Sequence, residues 1–185
     1  MDEDRKLERK FARFGDALAV EDGCMISGYA SLFGAVDQGN DVVAAGAYAA
    51  SLTSLHARGG KVKMLWQHDA TQPIGIWEEV REDARGLWVK GRLLDTVAKG
   101  REAAALIEAG AIDGLSIGYR TRKATKNSKG QRLLQELELW EVSLVTFPML
   151  PSARVAGKSG ETDVDRCLRD MASVFADARA DLARR

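Results

Sequence analysis

The chain has 185 residues, 45% of them hydrophobic, and equal numbers of basic and acidic side chains, 27 of each. That is enough apolar material for one packed domain with some terminal extension, and a zero formal charge argues against a protein built mainly to bind nucleic acid. Two cysteines far apart, Cys24 and Cys167, make no disulfide framework and suit a reducing compartment. The first residues lack the apolar stretch of a signal peptide, and no apolar run is long enough to cross a bilayer, so the expectation is a soluble protein.

In chain order, residues 1–20 carry Leu7, Phe11, Phe14 and Leu18 at helical spacing and are expected to form an N-terminal arm or helix. A domain over 21–155 follows. It opens with a strand from Cys24 into a turn at Gly34, a loop at Gln38–Asp41, and an alanine-rich helix over Ala44–Ala57 stopped by Gly59 and Gly60. Lys61–His68 alternates, with Val62, Met64, Trp66 and His68 on one side. Ile74–Val80 and Leu87–Leu94 read as a hairpin. Asp95 or Thr96 is placed to cap a helix ending at Gly110, with Leu106 and Ile107 as its apolar contacts. A strand over Gly114 to about Arg122 and another over Leu133–Phe147, joined by a basic turn, complete the domain. Residues 156–185 read as a linker and an amphipathic helix, with Val164, Cys167, Leu168, Met171, Val174, Phe175 and Leu182 on one stripe. Six or seven strands with helices between them predict a β-rich α+β fold: a partly closed, mostly antiparallel β-barrel flanked by helices.

The stretch Gly114-Leu115-Ser116-Ile117-Gly118-Tyr119 stands out. In a strand, Leu115, Ile117 and Tyr119 share one face, and Gly114, Ser116 and Gly118 share the other. Glycine in a strand interior marks close approach of another backbone or a ligand, so Ser116 reads as a nucleophile on a cleared face. His68 lies on the parity of Met64 and Trp66; alone, such a histidine is more often a satisfied core residue. Glu141 shares the parity of Leu137, Leu139, Val145 and Phe147, so it is expected to point inward, where a carboxylate must be paired. Serine, histidine and carboxylate on three strands make an acyl-transfer site. The elbow motif of α/β-hydrolases does not apply, because the chain after Ser116 continues as strand and no histidine follows. Cys24, His56, His68 and Cys167 lack zinc-ligand spacing, and no cofactor is implied. His56 at a helix C-terminus needs no catalytic explanation. The basic run Arg120, Arg122, Lys123, Lys126, Lys129 and Arg132 reads as a solvated hairpin tip, or as a contact for an acidic partner or packaged nucleic acid.

Four segments in order resemble the prohead (capsid maturation) serine proteases of tailed phages and phage-like particles: Gly28–Gly34, Trp66-Gln67-His68-Asp69 with Pro73-Ile74-Gly75, Gly114–Tyr119, and Leu139–Pro148. The resemblance covers about residues 25–155. It implies a serine endopeptidase with a herpesvirus-assemblin-like barrel, made in the host cytoplasm and packaged in the immature capsid. Such an enzyme cuts the scaffold, or the scaffolding segment of the major capsid protein, and itself. His68 matches the family's histidine and Ser116 its nucleophile. Glu141 falls where the third member belongs, with Asp69 as competitor, and Gly114, Gly118 and Arg154 are candidates for oxyanion or substrate contacts. The C-terminal helix is a candidate for self-association, with no membrane and no specific nucleic acid as partner. The alternative is a non-enzymatic assembly scaffold that keeps the barrel.

Overall fold

A computed structural model describes residues 8–12, 19–21 and 25–147. Its nine strands are β1 (Glu8–Ala12), β2 (Ala19–Glu21), β3 (Met25–Leu32), β4 (Asp41–Val43), β5 (Lys63–Trp66), β6 (Asp69–Glu82), β7 (Gly86–Leu93), β8 (Gly114–Lys126) and β9 (Arg132–Val145). Helix α1 spans Ala49–Ala57 and α2 spans Ala98–Glu108. The strands form one curled sheet in the order β1-β8-β9-β5-β6-β7-β3-β2, with β4 also on β9. The expected fold class holds: a mostly antiparallel, half-barrel sheet with two helices among the described residues.

The strand inventory is longer than the sequence reading. The helical spacing over 1–20 gives way to strand at both described pieces: β1 pairs with β8, and β2 pairs with β3. An edge of β8 left open invites a partner strand, and main-chain pairing there outweighs local helical spacing. The loop at Gln38–Asp41 ends in the short strand β4, parallel to β9. Phe147, expected to face inward, is 80% exposed, because β9 ends at Val145. The C-terminal linker and helix, and Arg154, lie outside the described residues.

The core packs Ile117 and Tyr119 of β8 and Leu139, Val142 and Leu144 of β9 against Met64, Ile74, Trp77, Val89 and Tyr48. The Trp77 indole N–H donates to the Val142 carbonyl (3.1 Å), pinning β9 from the core side. The edge of β9 opposite β8 is served in relay. β4 pairs with Arg132–Leu134, and the Leu137 N–H donates to the Ala47 carbonyl. The Leu139 N–H then donates to the Ser51 hydroxyl, and β5 pairs with Glu141–Leu144. Helix α1 and its lead-in thus satisfy the gap between two parallel strand partners.

Helix α2 starts one residue later than a cap at Thr96 and two later than a cap at Asp95 would place it. Its N-cap is Val97 with no side-chain cap bond, so neither Asp95 nor Thr96 caps it. Ile107 and Ala103 are buried, Leu106 is 36% exposed, and the chain leaves the helix through Gly110 at φ 69°, a left-handed backbone that glycine adopts without strain.

Candidate active site

Ser116, His68 and Glu141 come together in series. The His68 ring lies with Nε2 2.6 Å from the Ser116 Oγ and Nδ1 2.6 Å from a Glu141 carboxylate oxygen, Oε1. A carboxylate only accepts, so Nδ1–H donates to Glu141, and Nε2 is left to accept the Ser116 hydroxyl proton. All three side chains are buried; Ser116 is 0% exposed and Glu141 4%. The other Glu141 oxygen accepts from the Ser143 hydroxyl at 2.6 Å, so both oxygens of the buried charge are satisfied.

The arrangement arises by a different route from simple strand alternation. Strand β8 pairs Ser116 with Ser143 and Gly118 with Glu141, but Tyr119 pairs with Leu139. Trp140 is the extra residue of a β-bulge. It flips the parity of β9, so Leu139, Val142 and Leu144 face the core while Glu141 and Ser143 face the side of Ser116. Glu141 is therefore buried on the face opposite to Leu139, not beside it.

His68 does not continue β5 either. Trp66 pairs with Asp69, and Gln67 and His68 form the two-residue turn between β5 and β6 with φ of 52° and 63°. Primed turns need positive φ at both central residues and favour Asn-Gly. Two large residues there carry strain of order 1–3 kcal/mol each. Hydrogen bonds hold them: Gln67 N–H to the Leu144 carbonyl (2.9 Å), His68 N–H to the Ser143 Oγ (3.2 Å), and the Gln67 amide N–H to the Thr146 hydroxyl (2.6 Å). The turn folds His68 back over the outer face of β9, where Ser143, Glu141 and Ser116 lie.

The flank of Ser116 is filled rather than bare. A Cβ on Gly118 would stand 2.0 Å from the Glu141 Oε1. The glycine makes room for the acid, which accounts for it without a substrate. Gly114 pairs with Val145 and is buried. Asp69 points away from the ring. Its oxygens accept from the Thr71 hydroxyl (2.6 Å), the Thr71 N–H (2.8 Å) and the Gln72 amide (2.7 Å). These bonds, the Thr71 hydroxyl foremost, hold its carboxyl below the usual carboxylate range and close the bulge before Pro73. His56 sits in the last turn of α1. Nothing in the sequence marks Gln67 for this role, and the one signal for Ser143 is its same-face spacing in Glu141-x-Ser143.

A hydroxyl, an imidazole and a carboxylate in series on one face of a curled, mostly antiparallel sheet are groups able to carry acyl transfer. Residues 15–166 match the model of the caudovirus prohead serine proteases, and the chain belongs to that family. It is 30% identical over 155 residues to the prohead protease of Enterobacteria phage HK97, covering 79% of this chain and 68% of that protein. It is 31% identical over 102 residues to a capsid polyprotein of Pseudomonas phage PAJU2, covering 51% of this chain and 15% of the polyprotein. Among solved structures, the bacteriophage T4 capsid assembly protease superposes with a TM-score of 0.61 at 16% identity, covering 76% of this chain and 97% of that one, which supports the fold.

Proposed function

We propose that this prohead protease is a serine endopeptidase with Ser116 as nucleophile, His68 as general base and Glu141 as the residue that orients and stabilises the imidazole. The observation that carries the reading is the unbroken series of two 2.6 Å hydrogen bonds from Ser116 through His68 to Glu141. Ser116 Oγ attacks the scissile carbonyl carbon as its proton passes to Nε2, and Glu141 stabilises the imidazolium. Nε2–H then protonates the leaving amine. In deacylation His68 takes a proton from water, whose oxygen attacks the acyl-enzyme, and returns it to Ser116.

The substrate is the scaffold, or the scaffolding segment of the major capsid protein, together with the enzyme's own chain. The family assignment and the alignment to part of a capsid polyprotein support this. Cleavage takes place inside the immature capsid. The segment beyond Gly157 serves docking or self-association and is dispensable for chemistry. Truncation there is expected to leave peptide cleavage intact while reducing packaging.

The test is co-expression with the major capsid protein of the same particle, followed by mass mapping of the fragments. Ser116→Ala is expected to fold and to lose processing by on the order of 10³-fold or more. A folded Ser116→Ala protein that cuts at the wild-type rate would leave the barrel as an assembly scaffold and overturn the reading.

A further inference from the structure

Ser143 closes a ring around the histidine. Its hydroxyl donates to Glu141 Oε2 (2.6 Å) and accepts from the His68 backbone N–H (3.2 Å), while the His68 ring meets the other oxygen of the same carboxylate (2.6 Å). The direction of each bond is forced, since a backbone N–H only donates and an ionised carboxylate only accepts. One hydroxyl therefore ties together the strained turn that carries His68 and the acid that aligns its ring. Ser143 is 0% exposed, and its register opposite Ser116 puts it beside the nucleophile. Its proton nevertheless goes to Glu141, and it has no bond to the ring, so it is not a second nucleophile.

Resting on the reading of Ser116, His68 and Glu141 just given, we infer that Ser143 is a positioning residue of the reaction, acting on His68 and Glu141 together. Without its hydroxyl, Glu141 keeps one fixed partner and rotates about its terminal bond. The buried His68 N–H loses its acceptor, and the left-handed backbone at Gln67 and His68 loses one of its anchors. A displacement of about 1 Å in such a group costs on the order of 10²-fold in rate.

The full-length chain is labelled with a fluorophosphonate, which reads nucleophile activation without any peptide contact, and the rate of modification at Ser116 is measured beside Tm. Ser143→Ala is expected to slow labelling about 10- to 100-fold, and to abolish the far-downfield proton resonance of the His68–Glu141 bond in NMR spectra. Ser143→Thr, which keeps the hydroxyl, is expected to stay within about threefold of wild type and to keep the resonance. Labelling of a folded Ser143→Ala protein within about twofold of wild type overturns the inference, as does a Thr variant no better than Ala at equal Tm. Should the alanine variant not fold, Ser143→Cys, with similar bulk and a weaker donor, replaces it under the same criteria. Wild-type protein that is not labelled at Ser116 overturns the underlying assignment of the nucleophile, and this inference with it. A slow Ser143→Ala beside a reactive wild type separates the two.

Discussion

Gly118 and Trp140 decide where the Glu141 carboxylate goes, one by leaving space and the other by adding a residue. A methyl group at 118 would sit 2.0 Å from Oε1 and 2.7 Å from Cδ of Glu141, so the acid must move off the His68 ring. Gly118→Ala is expected to reduce peptide cleavage at least about tenfold and to destabilise the protein by about 1–3 kcal/mol from overpacking; wild-type cleavage by this variant would show that the carboxylate is not needed where it stands. Glu141→Gln keeps the shape but cannot stabilise an imidazolium. It is expected to cost about 10²-fold or more in kcat, against less than about threefold for Asp69→Asn, whose target faces Thr71 and Gln72. Equal losses from the two substitutions would return Asp69 to contention. The pairing of Glu141 with His68 was legible in the sequence, yet by two parity errors of the same sign. Alternation assigns both to the core face of Met64 and Leu139, and both lie on the opposite one. The reason is local: a bulge at Trp140 and a left-handed turn at Gln67 and His68, neither of which an alternation count registers.

At the scale of elements, long hairpins do most of the building, and their corners carry the polar work. The β6–β7 corner is organised by Asp83, which accepts from the Arg85 N–H (2.8 Å), the Gly86 N–H (3.1 Å), the Tyr29 hydroxyl (2.8 Å) and Arg81 (3.0 Å). Burial pushes its carboxyl up, but these donors more than offset it, and the net shift is downward. A carboxyl lowered in the folded state adds stability above its unfolded-state value and loses it as pH falls through the folded one. Asp83→Ala is therefore expected to lower Tm at about pH 7, with the gap to wild type shrinking below about pH 4; a gap that is unchanged in acid would show that the corner is held by something other than the charge. The hairpin itself was readable from Glu82-Asp83-Ala84-Arg85-Gly86, because turn chemistry is local. Strand β4 is not, because its continuous ladder is the parallel pairing with β9 some ninety positions away, with only single local bridges to Phe33 and Val36.

Across the whole molecule, the strand that carries Ser116 has a partner on each side, β9 along one edge and β1 along the other, with Phe11 in register with Ser116. Composition and spacing at the N-terminus spoke for a helix or arm, since a five-residue edge strand is specified by the strand it covers. An exposed edge on a long strand is a template for another chain, and β1 removes that edge from Leu115 to Tyr119, the stretch that holds the site. Deleting residues 1–13 exposes those main-chain groups next to Ser116 while leaving the bonds among Ser116, His68 and Glu141 untouched. The shortened protein is expected to melt lower and to self-associate more with concentration, seen by light scattering, and a second substitution of Ser116 by alanine should change neither effect. A truncated protein that stays monomeric at the wild-type Tm would show that β1 adds nothing to the closure of the sheet.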